Sequence, residues 1–234
     1  MSSGTTEDAF MGELHAMLVE GVPGIGKSTL IDALIRRHVD SAEPGRIRSL
    51  IHLAQTHTYG PLAIAEDAGT LTVAANVRLL DRIVETLEWL HDDLAYSDKP
   101  CFILIDSLHL THCLRPGVLA WPDAAPIDRR LAAIGFKLLL LKGKHETIWS
   151  RTVQARADAQ FIREYAAKFG RTHQEIHEHF VGEQAEFDRM FEQSGMQKTT
   201  IENDGAIDGI EKEAYAFWLR PRGGAAANSL TCGA

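Results

Sequence analysis

The sequence predicts an α/β fold, a parallel sheet covered by helices on both faces. Three observations carry that prediction. Apolar runs of strand length alternate with segments of helical periodicity along the chain. The run Cys101-Phe-Ile-Leu-Ile-Asp106 is apolar up to its final Asp, the pattern of a strand buried on both faces. A glycine-rich turn from Gly21 to Ser28 joins a strand directly to a helix.

The elements follow in order. Residues 1–12 are mostly small and polar and read as a flexible leader, ahead of one domain over 13–220. Ala16 to Glu20 is a short apolar strand, and the helix after the glycine turn runs from about Lys27 to His38, with Leu30, Leu34 and Ile35 at helical spacing. Ile47 to Ala54 is a second strand. Gly60-Pro61 and Gly69 break the pattern, so Gln55 to Gly69 reads as a loop. A long amphipathic helix spans Leu71 to Leu94, with Leu71, Ala74, Ala75, Leu79, Ile83, Leu87 and Leu90 as its apolar side. After the strand Cys101 to Asp106, Pro116-Gly117 and Trp121-Pro122 mark a long loop to Pro126. A short helix from Asp128 to Ile134 then leads into the strand Phe136 to Leu141. Residues from Glu146 to Phe191 are largely helical, interrupted near Gly170 with Thr172 as the next cap. Lys198 to Glu202 is a fifth strand, Asp208 to Leu219 a terminal helix, and 221–234 a Gly/Ala/Ser-rich tail expected to be disordered.

Composition bounds the function. The 234 residues are 45% hydrophobic and 24% charged, which suits one globular domain with a buried sheet. A net charge of -8 without a Lys/Arg run argues against nucleic acid as partner and for a small-molecule substrate. Cys101, Cys113 and Cys232 are widely spaced, as expected of reduced thiols in a cytoplasmic protein. Glu7, Asp8 and Glu13 precede any apolar run, unlike a signal peptide. No apolar stretch approaches the roughly 20 residues of a spanning helix, so no membrane partner is expected.

Gly21-Val-Pro-Gly-Ile-Gly26-Lys27-Ser28 matches G-x-x-x-x-G-K-[ST] at every fixed position. Glycines let successive backbone N–H groups curl around a phosphate, and the next helix aims its positive dipole end at the same anion. Gly21, Gly24, Ile25, Gly26, Lys27, Ser28 and Thr29 are therefore the candidate cradle for ATP. Lys27 serves the β- and γ-phosphates, and the Ser28 hydroxyl serves Mg²⁺. Asp106 closes a buried strand at the same sheet edge, where it either holds Mg²⁺ or accepts the proton of an attacking hydroxyl. His109 and His112 follow it, facing substrate or bonding loop backbone. Arg151, Arg156, Arg163 and Arg171 lie beyond the fourth strand, and arginine forks there can neutralise transferred phosphate. Arg151 and Arg156, five apart, point in different directions on one helix. Tyr59, after the second strand, is a candidate acceptor contact. His173, His177 and His179 lack a zinc pattern and read as a solvated face.

In this order the residues resemble the thymidylate kinase and deoxynucleoside kinase branch of P-loop kinases. Asp106-Ser-Leu-His109-Leu-Thr111 is similar to that branch's D-R-F-H-[IL]-S stretch, over a resemblance spanning residues 15 to 220. It implies the P-loop NTPase fold, a three-layer sandwich with a five-stranded parallel sheet of order 2-3-1-4-5, and a helical lid over about 146–172. It implies that Asn203-Asp204-Gly205 touches the adenine, that Arg151, Arg156 and Arg163 form the lid, and that the long helix walls the acceptor pocket through Arg78 or Arg82. Ser107 stands where the branch often has arginine, and His112 replaces a frequent acidic residue. The expected activity is an ATP- and Mg²⁺-dependent phosphotransfer to a nucleoside, a nucleotide or another hydroxylated metabolite. The alternatives are a nucleotide-binding regulatory ATPase and a polynucleotide 5′-kinase. The first lacks a water-positioning Glu or Gln beside Asp106, and the acidic charge weighs against the second. The long helix also has an apolar edge that a second copy, in a homodimer, can cover.

Overall fold

Five strands, all parallel, form one sheet in the order β2-β3-β1-β4-β5, as the resemblance implies. Strand chemistry tracks position in that order. β1 (Leu14–Glu20) is central, and Ala16 to Val19 are fully buried because helices cover both faces. β3 (Cys101–Asp106) and β4 (Lys137–Lys142) flank it and are nearly as buried. The edge strands β2 (Ser49–Leu53) and β5 (Gln197–Glu202) are partly exposed, and β5 is mostly polar, as suits strands with one unpaired side. The structure, a computed structural model, describes residues 13–41, 49–94, 99–114, 118–156, 172–204 and 207–221. The expected leader (1–12), all of the tail but residue 221, and Arg163 and Arg171 lie outside them.

Helix α1 (Lys27–Asp40) follows β1 and packs against the C-terminal helix, α9 (Ile207–Leu219). At the amino end of β1 the His15 ring stacks on Phe102, 5.0 Å between centroids, and the Trp218 indole donates to His15 O at 2.9 Å. Burial holds the His15 pKa down at about 4, so the ring is neutral in the core.

Three expectations are corrected between β2 and β4. Gln55 to Gly69 is not a loop. It holds α2 (Gln55–Thr58) and α3 (Gly60–Asp67), with Pro61 in the first turn of α3, where its missing N–H costs nothing. Likewise α6 (Trp121–Ala133) starts seven residues before the expected Asp128, with Pro122 in its first turn and Pro126 inside it. The long helix α4 (Val73–Leu94) is present, but its buried stripe is Asn76, Leu80, Val84 and Leu87, while Ala74 and Ala75 are exposed. A buried asparagine interrupts the apolar periodicity, so the pattern misplaces the face. Arg130 fixes α6 to α4 through Glu88, at 2.7 and 2.8 Å, and Asp81, at 2.9 Å.

After β4 come α7 (His145–Ile148), a π-helical turn (Trp149–Val153) and a 3-10 turn (Gln154–Arg156). Helix α8 (His173–Gln193) then begins at the expected Thr172, whose hydroxyl accepts from the Glu175 N–H at 3.2 Å while Glu175 Oε2 accepts from the Thr172 N–H at 2.9 Å.

Candidate active site

β1 delivers the chain to the carboxyl edge of the sheet at Glu20, and the glycine loop turns it into α1. Gly24 and Gly26 adopt φ of 77° and 102°, the left-handed region that disfavours side chains. Packing crowds a side chain there as well. A Cβ on Gly26 would lie 2.6 Å from Asn203 Nδ2, and one on Gly24 would lie 3.1 Å from Thr152 Oγ1. Helix α1 begins without a side-chain cap or an acidic first turn, so its leading N–H groups and positive dipole end are suited to an anion. Ile25 anchors the loop in the core, and Ser28 and Thr29 are exposed in the first turn. The Lys27 ammonium folds back and donates to Gly21 O at 2.7 Å and Val22 O at 3.2 Å.

Asp106 reaches the same place from the end of β3, paired in register with Val19 of β1. Its Oδ2 accepts from the Ser28 hydroxyl at 3.0 Å and its Oδ1 from the Ser107 hydroxyl at 3.0 Å. The two residues expected to hold magnesium are thus in direct contact. A hydroxyl and a carboxylate beside a phosphate cradle are the hard oxygen donors that Mg²⁺ takes, with phosphate and water completing its shell. Among the described residues no group of three His, Cys, Asp or Glu could hold a metal by itself. Ser107 has a φ of 63°, the one described residue other than glycine in the left-handed region.

Arg151 stands on the π-helical turn, which docks on the glycine loop. The Thr152 hydroxyl donates to Pro23 O at 2.8 Å, and an Arg151 guanidinium nitrogen lies 3.8 Å from where a Gly26 Cβ would sit. Arg151 therefore lies beside the glycine loop. Arg156 closes the 3-10 turn. Asn203 follows β5 near the loop but is turned inward: its side-chain N–H₂ donates to Ile25 O at 2.6 Å, so it props up the loop. Asp204 next to it accepts from Thr147 Oγ1 at 2.8 Å and pairs with Lys144 at 3.0 Å, and these partners lower its pKa to about 2.

The residues expected to contact an acceptor are mostly interior. His109 is fully buried in α5 (His109–Leu114), its Nε2 3.1 Å from Asp128, which also accepts from the Ser194 hydroxyl at 2.6 Å. His109 is thereby a tie between α5 and α6. His112 is equally buried, its Nδ1 2.8 Å from Asn76 Oδ1, and burial lowers its pKa to about 3. Tyr59 is half-buried; its hydroxyl donates to Glu66 at 3.0 Å and its ring meets His112 edge-on. Arg78 and Arg82 are exposed on α4. Of the other histidines considered, His177 Nε2 lies 2.9 Å from His145 O and His179 3.2 Å from Glu183.

Glu20 escaped the sequence reading altogether. Its carboxylate, with no exposed surface, accepts from Leu108 N at 2.9 Å, Leu110 N at 3.2 Å and the Thr111 hydroxyl at 2.6 Å. The signal was there: a charged residue closing a fully apolar strand just before the glycine loop is costly without partners.

No family model matches the sequence, and no curated protein does. Solved structures do. The YorR protein of Bacillus subtilis, crystallised with phosphorylated GDP, shares 13% identity over 86% of this chain and 92% of its own, with a TM-score of 0.54. A gluconokinase from Sinorhizobium meliloti 1021 shares 13% identity over 89% and 93%, with a TM-score of 0.49. With the parallel sheet of order 2-3-1-4-5 and the glycine loop between β1 and α1, the chain has the P-loop NTPase fold.

Proposed function

We propose that this chain is a P-loop phosphotransferase that moves the γ-phosphoryl group of ATP to a small-molecule acceptor, nucleoside- or nucleotide-like or another hydroxylated metabolite. The observation that carries the reading is the contact of Ser28 with Asp106 at 3.0 Å, directly under a glycine loop that Arg151 also approaches. A triphosphate lies along the loop amides from Gly24 to Thr29. The Lys27 ammonium exchanges its two loop carbonyls for β- and γ-phosphate oxygens, and Arg151 takes a further one. Ser28 and Asp106 would hold Mg²⁺, which supplies charge neutralisation at the phosphates. The nucleotide of YorR supports a nucleotide here, since the folds are alike.

Transfer to an acceptor is favoured over hydrolysis because the residue after Asp106 is Ser107, whose hydroxyl donates to Asp106, and not a water-positioning Glu or Gln. The acceptor then sits between the loop, Tyr59 and the exposed arginines of α4. Arg156 and Arg163 belong to the lid in this reading, the domain spans 13–220, and the protein works in the cytoplasm. Among the described residues no helix is long and apolar enough to cross a membrane. The test is ADP release measured against a panel of nucleosides, nucleotides and hydroxylated metabolites. Slow release alone that rises sharply with one acceptor is expected; steady hydrolysis indifferent to every acceptor would refute transfer.

A further inference from the structure

The three donors on Glu20 have a common address. Leu108 is the N-cap position of α5, and Leu110 and Thr111 are the second and third residues of its first turn. A leucine side chain cannot accept the N–H groups that a helix start leaves unpaired. Glu20 accepts them instead, from the end of another strand, with one oxygen on two backbone N–H groups and the other on a hydroxyl. Residues 106–108 are thereby fixed from several sides. The Ser107 N–H donates to Val19 O at 3.0 Å, the Thr58 hydroxyl donates to Ser107 O at 2.8 Å, and Glu20 holds the Leu108 N–H.

Between these anchors the backbone of Ser107 is forced to a φ of 63°, a conformation that persists only where its surroundings over-determine it. In that conformation the Ser107 hydroxyl meets Asp106 Oδ1, leaving Oδ2 to the Ser28 hydroxyl. We propose that Glu20 is a positioning residue for the magnesium site: by capping α5 it holds Ser107 in its left-handed conformation, and Ser107 in turn aims the Asp106 carboxylate at Ser28. Burial pushes the Glu20 carboxyl above its usual range, opposed by His109, Thr111, the Leu108 N–H and Lys27. A group kept in so costly a place is held for what its oxygens anchor.

The inference rests on the metal–nucleotide part of the proposed function but not on transfer, so the experiment reads binding alone. Affinity for a fluorescent ATP analogue is measured against Mg²⁺ concentration for the whole chain and three variants. Glu20→Ala should weaken the apparent Mg²⁺ affinity about 10- to 100-fold, as loss of an outer-shell partner does, while metal-free nucleotide binding changes little. Glu20→Gln keeps an oxygen for the two N–H groups and should stay within about threefold of the parent. Ser107→Gly suits the backbone, removes the hydroxyl and should repeat the Mg²⁺ defect in a folded protein. If Glu20→Ala fails to fold, Ser107→Gly and the Gln rescue decide the matter. Parent-like Mg²⁺ titration in Ser107→Gly, or a Gln variant as impaired as a folded Ala variant, would overturn the proposal. Absence of any acceptor would leave these titrations intact and refute only the transfer reading.

Discussion

The two halves of the carboxyl edge are built on opposite plans. The half that we propose takes the nucleotide is mostly backbone: a run from Gly21 to Ser28 turns between β1 and α1, offering N–H groups, one lysine and one serine close together in sequence. The half where we propose the acceptor sits is made of elements far apart in the chain, with Tyr59, just before α3, meeting His112 of α5, to which the buried Asn76 of α4 is bonded. A phosphate has the same shape in every substrate, so a local motif suffices for it. An acceptor has no common shape, and its wall is assembled by tertiary packing, which no short motif records.

Substitutions on each half should separate the two. Lys27→Ala, which removes the cation at the transferred phosphate, is expected to lower kcat by about 10³-fold or more with an unchanged circular dichroism spectrum. Near-normal turnover would remove the glycine loop from the chemistry. Gly26→Ala forces a Cβ onto Asn203 at a φ of 102°, and nucleotide affinity should fall roughly 10-fold, for a strain of about 1–2 kcal/mol. Titration with a fluorescent nucleotide checks it.

Asn76→Ala tests the other half. It leaves the His112 Nδ1 buried without its partner, costing about 1–3 kcal/mol of stability in urea unfolding. It should raise the acceptor KM while the nucleotide Kd holds within about twofold, since distant sites are nearly additive. Equal damage to both constants would mean the halves are not separate.

A last test is of pH dependence. His15 and His112 have pKa values lowered by burial to about 4 and about 3, so the unfolded chain takes up protons first as pH falls. Stability is full above the ordinary histidine value of about 6.5 and declines below it toward those lowered values. The urea midpoint should therefore drop between about pH 7 and about pH 5, and His112→Gln should reduce the slope, whereas Lys27→Ala should not.

The same contrast governs what the sequence reveals. β1, β3, β4 and the glycine loop were legible to within a residue or two because burial on both faces leaves an unbroken apolar run and glycine marks its turn. Helix α3 and the start of α6 were not, since Pro61 and Pro122 look like breaks yet sit in first turns, where proline fits. The face of α4 was misread because Asn76 points inward for His112. Glu20, the inward turn of Asn203 and the tie from His109 to Asp128 involve partners 88, 178 and 19 residues apart, and no periodicity connects them.

The folded-back Lys27 also bears on which anions the loop accepts. Its ammonium is already satisfied by two carbonyl oxygens, so a visiting anion must outcompete them. Sulfate or orthophosphate offers one cluster of charge and recovers little beyond what it displaces. A polyphosphate can occupy the loop amides with one group and reward the released ammonium with the next. If the loop takes a triphosphate, as we propose, this contact would favour a polyphosphate over a simple anion.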